Sequence, residues 1–188
     1  VQVESPINVG ESQVIKITVN NTNVTGNVTI NIDGQNYTAE LTNGTANFTV
    51  PPLASGNHTV VVVYDGDNNF TGNWTSANIV VNKLESTVNI TVSNGTVGSK
   101  QTITVEVPQN ATGQVLIDIN DQHYYANITD GKAILELDTL PEGEYSVNAT
   151  YLGDENYTSA NNITSISVPA LVNYDLPMTV SDIDYGAD

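Results

Sequence analysis

Along much of the chain, apolar and polar residues alternate one by one over short stretches. Residues 27–32 read Asn-Val-Thr-Ile-Asn-Ile, and residues 114–119 read Gln-Val-Leu-Ile-Asp-Ile. A period of two is typical of a β-strand that buries one face, and no segment shows the 3.6-residue period of an amphipathic helix. The pairs Asp33-Gly34 and Asn43-Gly44 favour tight hairpin turns, because Asn, Asp and Gly accept positive φ. The pattern predicts strands near residues 13–20, 26–33, 36–41, 45–50, 58–64 and 76–82, and the same set again in the second half.

The second half of the chain repeats the first. Ile15–Val19 matches Ile103–Val107 at an offset of 88 residues, and Tyr64–Phe70 matches Tyr151–Tyr157 at an offset of 87. Internal similarity at a fixed period indicates duplication of one structural unit. Since turn signals recur about every 8–12 residues, each unit is predicted to be a β-sandwich. We place the units at residues 1–83 and 84–170, with the start of a third repeat at 171–188.

One position in each unit has the setting of a tyrosine corner. Tyr145 lies in Leu140–Val147, where β-sandwiches carry a tyrosine whose hydroxyl bonds the backbone just upstream. The matching stretch Leu53–Val60 has His58 in place of the tyrosine. We interpret His58 as a structural replacement rather than as a catalytic residue.

These patterns together resemble a known family. Asp/Asn-Gly hairpins, the pattern Leu-x-x-Gly-x-Tyr-x-Val at 140–147, and the pattern Tyr-x-Gly-Asp-x-Asn-Phe/Tyr at 64–70 and 151–157 are similar to bacterial-type immunoglobulin-like (Ig-like) tandem repeats of adhesin-like cell-surface proteins. In its richness in Asn and Thr, the chain is most similar to those of methanogenic archaea. The resemblance implies an all-β fold of two tandem Ig-like β-sandwich domains plus the first strand of a third repeat. It also implies an extracellular stalk or filament, with adhesion inferred from family membership.

Charge and the lack of cysteine narrow the function classes. The 188 residues include 21 acidic residues, four lysines and no arginine, for a formal net charge of −17. Nucleic acids and anionic membrane surfaces bind basic side chains that this chain cannot supply, and no apolar run is long enough for membrane insertion. Without cysteine there is no disulfide, thiolate catalyst or cysteine zinc site. His58 and His123 are far apart in sequence and no Ser-His-Asp grouping is visible, so we predict no catalytic residues and no enzyme activity.

Acceptor motifs for N-linked glycans are far more frequent than chance. The chain has 25 asparagines, and random order gives about five Asn-x-Ser/Thr motifs. Strand alternation could double this number to about ten, and the chain has sixteen. We predict sugar at several of them and an extracellular, cell-surface location. The acceptors are Asn20, Asn23, Asn27, Asn36, Asn43, Asn47, Asn57, Asn69, Asn73, Asn89, Asn94, Asn110, Asn127, Asn148, Asn156 and Asn162.

Apart from covalent N-glycans we predict no cofactor, with calcium as a weaker alternative. Residues 65–69 and 153–156 collect oxygen-bearing side chains, although their spacing is not that of an EF-hand loop. The competing interpretation is that these side chains bond their own loop backbone. The candidate calcium ligands are Asp65, Asp67, Asp154 and Glu155.

Trp74 is the single tryptophan and has no counterpart in the second unit. Exposed aromatic side chains often contact sugars or proteins. We favour the simpler interpretation, in which Trp74 caps one end of its sandwich.

The end of the chain aligns with the start of the second unit. Residues 172–188 match residues 84–100 at an offset of 88, and both segments contain Thr-Val-Ser. We therefore expect the chain to start within the first strand of one repeat and to stop just after the first strand of another repeat. We expect either a window on a longer tandem array, which needs only continuation of the repeat, or a tail that completes a neighbouring subunit by strand addition.

The sequence therefore predicts an extracellular tandem-repeat structural or adhesive surface protein, a stalk or filament of glycosylated Ig-like domains. One alternative is a carbohydrate-binding module. Another is a fibre subunit that polymerises by donor-strand complementation through residues 172–188. The expected partners are neighbouring repeats or identical subunits arranged head to tail, and another cell surface or glycan.

Overall fold

The computed structural model describes residues 1–93 and 95–172, and every regular element in them is a β-strand. The acceptor Asn94 and most of the predicted third repeat, residues 173–188, lie outside the described residues. The strands are β1 (Ile7–Asn8), β2 (Gln13–Thr18), β3 (Asn27–Ile32), β4 (Gln35–Glu40), β5 (Thr45–Val50), β6 (Gly56–Gly66), β7 (Thr71–Asn82), β8 (Asn89–Val92), β9 (Lys100–Glu106), β10 (Gln114–Ile119), β11 (Gln122–Thr129), β12 (Lys132–Thr139), β13 (Gly143–Tyr151) and β14 (Ala160–Val168).

The first domain is a sandwich of two sheets. One sheet has the order β1-β7-β6-β3-β4, and β2 pairs with β5 in the other. The short β1 runs parallel to β7, with Ile7 opposite Val81, whereas the preceding Gln2 bridges to Lys16 of β2. The N-terminal segment therefore contacts both sheets and closes one side of the sandwich.

The second domain has the same layers, joined at one corner. Its strands follow the order β14-β13-β10-β11-β12-β9-β8. Most of β11 pairs with β10, but its last two residues, Ile128 and Thr129, pair with β12. Because β11 pairs with a strand of each sheet, the two sheets of the second domain are continuous.

Each domain has its own apolar core, built from the inward positions of the alternating strands. In the first domain Ile15, Ile30, Val60 and Ile79 are completely buried. Their counterparts in the second domain are equally or almost equally buried, and they are Ile103, Ile117, Val147 and Ile166. Full burial of such a side chain stabilises the fold by about 1.5–3 kcal/mol. The two cores share no residue, so each domain is stabilised by its own packing.

The all-β sandwich prediction is confirmed, and the six strands predicted in the first half are all present. Strand β7 begins at Thr71, earlier than the predicted start near residue 76. Residues 71–76 are exposed on both faces, so they lack the alternation that signals a strand, and pairing with β6 holds them extended. The two-residue β1 was not predicted, because two residues are too few to show a period.

Gly44 and Gly34 provide a matched test of the turns. Both have positive φ, +71° and +90°, which costs a residue with a Cβ about 1–2 kcal/mol. A Cβ on Gly44 would also meet the backbone carbonyl of Asn21, whereas nothing lies within 4 Å of a Cβ on Gly34. We expect Gly44→Ala to lower the free energy of unfolding clearly more than Gly34→Ala, measured by urea denaturation. Equal losses from the two variants would contradict the predicted clash.

Candidate functional site

The linker between the domains, residues 83–88, lies against the second domain and forms a single β-bridge with it. The Leu84 amide donates to the Asn156 carbonyl oxygen at 2.8 Å, and the Thr158 amide donates to the Leu84 carbonyl oxygen at 2.9 Å. Leu84 thereby pairs in parallel with Tyr157, and its side chain is half-buried. The linker is therefore fixed by backbone hydrogen bonds to the loop that joins β13 to β14.

Side chains on both sides of Leu84, and one from the first domain, add further hydrogen bonds. Ser86 Oγ donates to the Thr158 carbonyl oxygen at 2.7 Å, and Lys83 Nζ donates to the Asp154 carbonyl oxygen. Ser55, which belongs to the first domain, donates through Oγ to the Glu155 carbonyl oxygen at 2.9 Å. The first domain thus contacts the second directly as well as through the linker.

The loop that receives the linker is shaped by one carboxylate. Asp154 accepts hydrogen bonds from the amides of Asn156 and Tyr157, both at 2.8 Å. It also accepts from the amide and the hydroxyl of Thr112, at 2.8 and 2.9 Å. The carboxylate therefore closes its own loop and ties it to the segment before β10.

The first domain repeats this arrangement around Asp67. Its carboxylate accepts from the amides of Asn69 and Phe70 at 2.8 Å, and from the amide and hydroxyl of Thr25 at 3.1 and 3.2 Å. Hydrogen bonds from the Asn69 and Thr25 amides lower the pKa of Asp67 to about 2. Burial raises the pKa of Asp154, but its hydrogen bonds outweigh burial and hold that pKa at about 2.

This geometry supports the interpretation that these side chains bond their own loops. The oxygens of Asp67 and Asp154 already face N–H and O–H donors, while Asp65 and Glu155 are exposed. Within residues 1–93 and 95–172, no cluster of three or more His, Cys, Asp and Glu side chains could hold a metal ion.

The two corner residues make the same contact with different chemistry. Tyr145 donates its hydroxyl to the Pro141 carbonyl oxygen at 3.0 Å. His58 places Nε2 at 2.8 Å from the Ala54 carbonyl oxygen, also four residues upstream. His58 is therefore a structural replacement for the corner tyrosine, as the sequence predicted.

A second substitution accompanies the histidine. Asp33, in the turn after β3, bonds His58 Nδ1 and accepts from the Thr59 amide at 3.2 Å. Asn120 is its counterpart in the second domain and accepts from the Ser146 amide at 3.1 Å. The hydrogen bond from His58 lowers the pKa of Asp33. Burial lowers the pKa of His58, but its bonds to Asp33 and Ala54 outweigh burial and raise that pKa above its ordinary value.

Trp74 lies on the outer face of the first domain, and 68% of its surface is exposed. It stands opposite Val63 of β6, which stands opposite Thr29 of β3. This row contains one aromatic side chain, so it does not form the flat aromatic surface that binds sugars.

The predicted acceptor asparagines are spread over the surface of both domains. Asn148 is half-buried in the middle of a sheet, between Asp118 and Ile163 on the neighbouring strands. Apart from Asn148, and Asn94 outside the described residues, the other fourteen of the sixteen are exposed. Asn69 and Asn156 occupy matching positions in the loops closed by Asp67 and Asp154.

Three contacts at the junction were not predicted from the sequence: those of Ser55, Lys83 and Ser86. Single polar residues in loops carry no pattern. Repeat comparison does not single them out either, because Glu142 aligns with Ser55 and Ala170 aligns with Lys83.

Comparison with known proteins identifies both domains. The profile described as bacterial Ig-like domain (group 3) matches residues 1–82 and again residues 87–169. No curated protein sequence is recognisably similar to the chain.

Several solved structures resemble the two-domain chain. The titin domains Z1Z2 in complex with telethonin have a TM-score of 0.50 at 16% identity, over 89% of this chain and 92% of that one. The fibronectin(III)-like modules of Clostridium thermocellum CbhA have a TM-score of 0.40 at 14% identity, over 93% and 95%. A putative membrane anchored protein from Corynebacterium diphtheriae has a TM-score of 0.41 at 15% identity, over 94% of this chain and 54% of that one. At such identities the likeness concerns the fold alone.

The contact between His58 and Asp33 predicts that the stability of the first domain depends on pH. Because the folded-state pKa of His58 is raised, its protonated form stabilises the domain fully below the unfolded pKa of about 6.5, and this stabilisation is lost as pH rises through the raised value. The double variant Asp33→Asn with His58→Tyr reproduces the second domain's pair and removes this titration. We expect urea denaturation at pH values below and above 6.5 to show a loss of stability in the wild type that is smaller in the double variant.

The substitution His123→Tyr is the matched control, since His123 pairs with Asp118 in the second domain. It should leave the pH dependence of the first domain unchanged. If the wild type and the double variant lose the same free energy of unfolding with pH, the assignment to His58 is wrong.

Proposed function

Since the chain belongs to the bacterial Ig-like domain family (group 3), we propose that it is a tandem-domain structural segment of an extracellular, cell-surface protein. In this proposal the domains form a glycosylated stalk or filament that holds an adhesive region away from the cell. The similarity in Asn and Thr content to adhesin-like proteins of methanogenic archaea is part of the same proposal. The chain has no catalytic role in it.

The junction between the domains carries this proposal. Five hydrogen bonds join the linker and Ser55 to residues 154–158 of the second domain. A spacer holds a distant region at a fixed place only if its neighbouring domains keep a fixed orientation. Domains that are joined by a short linker alone are expected to move relative to each other. Bonds from both the backbone and the first domain oppose such motion, which suits a stalk better than a flexible tether.

Surface association is part of the same proposal. In the described part of this chain, no helix is long and apolar enough to cross a membrane. We propose that the segment projects from the surface as part of a larger architecture.

The exposure of the acceptor asparagines supports glycosylation as part of the function. Glycans on the outer faces and loops cover sheet edges and sites of proteolysis. This protection suits a chain whose domains contain no disulfide. The exposed Trp74 stands alone among Val63 and Thr29, so the proposal does not extend to a carbohydrate-binding module.

The rigidity of the junction can be tested with Thr158→Pro. Proline has no amide hydrogen, so this variant cannot bond the Leu84 carbonyl oxygen. Because the chain lacks cysteine, spin labels can be attached to Thr49→Cys and Ser165→Cys, one exposed site in each domain. We expect a narrow distance distribution between the labels in the parent chain and a broader one in Thr158→Pro.

Thr71→Pro is the matched control. Thr71 is the counterpart of Thr158 in the first domain, at the start of β7, where this chain's linker does not dock. It should leave the distribution narrow. A broad distribution in the parent chain would rule out a rigid spacer.

Glycosylation predicts a specific pattern of occupied sites. Sugar requires a solvent-accessible amide nitrogen with room for the glycan, so we expect occupancy among the exposed acceptors and none at Asn148. Glycopeptide mapping of native protein measures each site. Native peptides without sugar at every exposed acceptor would overturn the proposal, and sugar at Asn148 would overturn the exposure argument.

A further inference from the structure

Tyr125 lies on the outer face of the second domain, and 61% of its surface is exposed. It belongs to β11 and stands directly opposite Leu116 of β10, which is half-buried. The two side chains form a small apolar area on this face of the sheet. A single exposed aromatic residue needs no partner of its own, so the residues around Tyr125 decide what this area can bind.

One of the acceptor asparagines lies beside Tyr125 on the same strand. Asn127 follows two residues later, so both side chains leave the same face of the sheet, about 6.8 Å apart along the strand. Asn127 and the Thr129 of its acceptor motif are both exposed. Among the sixteen acceptors, Asn127 alone has an aromatic residue two positions before it. A sugar on Asn127 would therefore begin next to the ring of Tyr125.

The side-chain amide of Asn127 is held in one orientation. Its Oδ1 accepts a hydrogen bond from Gln114 Nε2 at 2.9 Å, and Gln114 is the residue opposite Asn127 on β10. This bond uses the oxygen and leaves the nitrogen, which is the atom that an N-linked sugar occupies. The amide can thus carry a sugar without losing its contact with the sheet.

The strand also leaves room for a sugar. Residues 122–127 of β11 pair with β10 on one side, while β12 pairs only with Ile128 and Thr129. In the described part of the chain, residues 122–127 therefore have no paired strand on their other side. A glycan attached at this edge does not meet a neighbouring strand.

The first domain has the same pair of strands without these features. At an offset of 87, Thr38 and Glu40 replace Tyr125 and Asn127. Thr38 stands opposite Thr29, as Tyr125 stands opposite Leu116. The fold therefore accepts a threonine at the position of Tyr125. The aromatic ring, its apolar partner and the acceptor are all present in one domain and all replaced in the other.

We propose that the first sugar of an N-linked glycan on Asn127 packs against the ring of Tyr125, beside Leu116. One face of a pyranose ring presents C–H groups, and the face of an aromatic ring carries partial negative charge, so the two attract each other as they exclude water. The inference rests on the proposed glycosylation and adds the protein surface that holds one of the glycans. This contact fixes the direction of the glycan and stabilises the second domain.

Nuclear magnetic resonance can detect the contact directly. The chain is made in cells that attach N-linked glycans, and an endoglycosidase trims each glycan to one carbon-13-labelled N-acetylglucosamine. Thr129→Val removes the acceptor motif but keeps Asn127, so the signals lost in this variant belong to the sugar on Asn127. Protons above an aromatic ring are shifted upfield. We expect upfield-shifted C–H signals for this sugar in the parent chain and in Tyr125→Phe, and their return to ordinary positions in Tyr125→Thr.

The sugar on Asn27 is the matched control. Asn27 is exposed on β3 of the first domain, and the residue two positions before it is Thr25. Its signals, identified with Thr29→Val, should be identical in the parent chain and in Tyr125→Thr. Tyr125→Thr places the first domain's own residue at an exposed position, so we expect this variant to fold.

Urea denaturation measures the effect of the same contact on stability. Amide signals of residues 89–168 report unfolding of the second domain alone. We expect Thr129→Val, which removes the sugar, to lower the urea midpoint in the chain that has Tyr125 and to lower it less in the Tyr125→Thr background.

Mass spectrometry checks that Asn127 carries sugar in each chain compared. If the cells leave it bare, Asn127→Cys alkylated with an iodoacetyl derivative of glucosamine supplies a sugar at this position, because the natural chain has no cysteine.

Sugar signals that do not change between the parent chain and Tyr125→Thr would overturn the inference. Together with sugar at the exposed acceptors in native protein, this result would reject the contact and keep the glycosylation. Native protein with a bare Asn127 and sugar at other exposed acceptors would also overturn the inference without rejecting glycosylation. Native protein that is bare at every exposed acceptor would reject both.

Discussion

Burial of alternate side chains between two sheets is the constraint on which the rest of this molecule depends. The chain has no disulfide and no clustered metal ligands in its described residues. Ile15, Ile30, Val60 and Ile79, with their four counterparts, therefore supply the stabilisation that disulfide-bonded domains gain in part from cross-links. Because the period is two, every inward residue leaves an outward neighbour in water. The abundance of Asn and Thr on the outer faces follows from the same pattern that builds the core.

A sandwich of this kind leaves its two ends open, and polar contacts close them. At one end Asp67 and Asp154 gather backbone amides of their loops, and the charge on each carboxylate strengthens those hydrogen bonds. At the other end His58 and Tyr145 bond the backbone four residues upstream. These contacts add little apolar burial, but those of His58 and Asp154 fix the two loops that meet at the junction. The geometry of the junction is thus prepared by bonds within each domain.

The alternation, the repeat and the tyrosine corner were readable from the sequence because each is a local pattern. The corner histidine was predicted correctly since its neighbours align with those of Tyr145. The partner Asp33 was not predicted, because its contact with His58 joins residues that only the fold brings together. Ser55 and Lys83 were missed for the same reason, and their counterparts differ in the second domain. The start of β7 was misplaced because pairing with β6, rather than burial, makes residues 71–76 a strand.

The loop that receives the linker shows how contact between domains and an acceptor asparagine can share one short segment. Asn156 accepts the Leu84 amide through its backbone carbonyl oxygen, yet its side chain remains exposed at the edge of the junction. Its counterpart Asn69 has the same exposed side chain in the loop closed by Asp67. A strand turns its backbone groups toward its neighbour in the sheet and its side chains out of the sheet plane. A sugar on Asn156 would therefore project beside the docked linker, so the junction and the sugar would not compete for the same atoms.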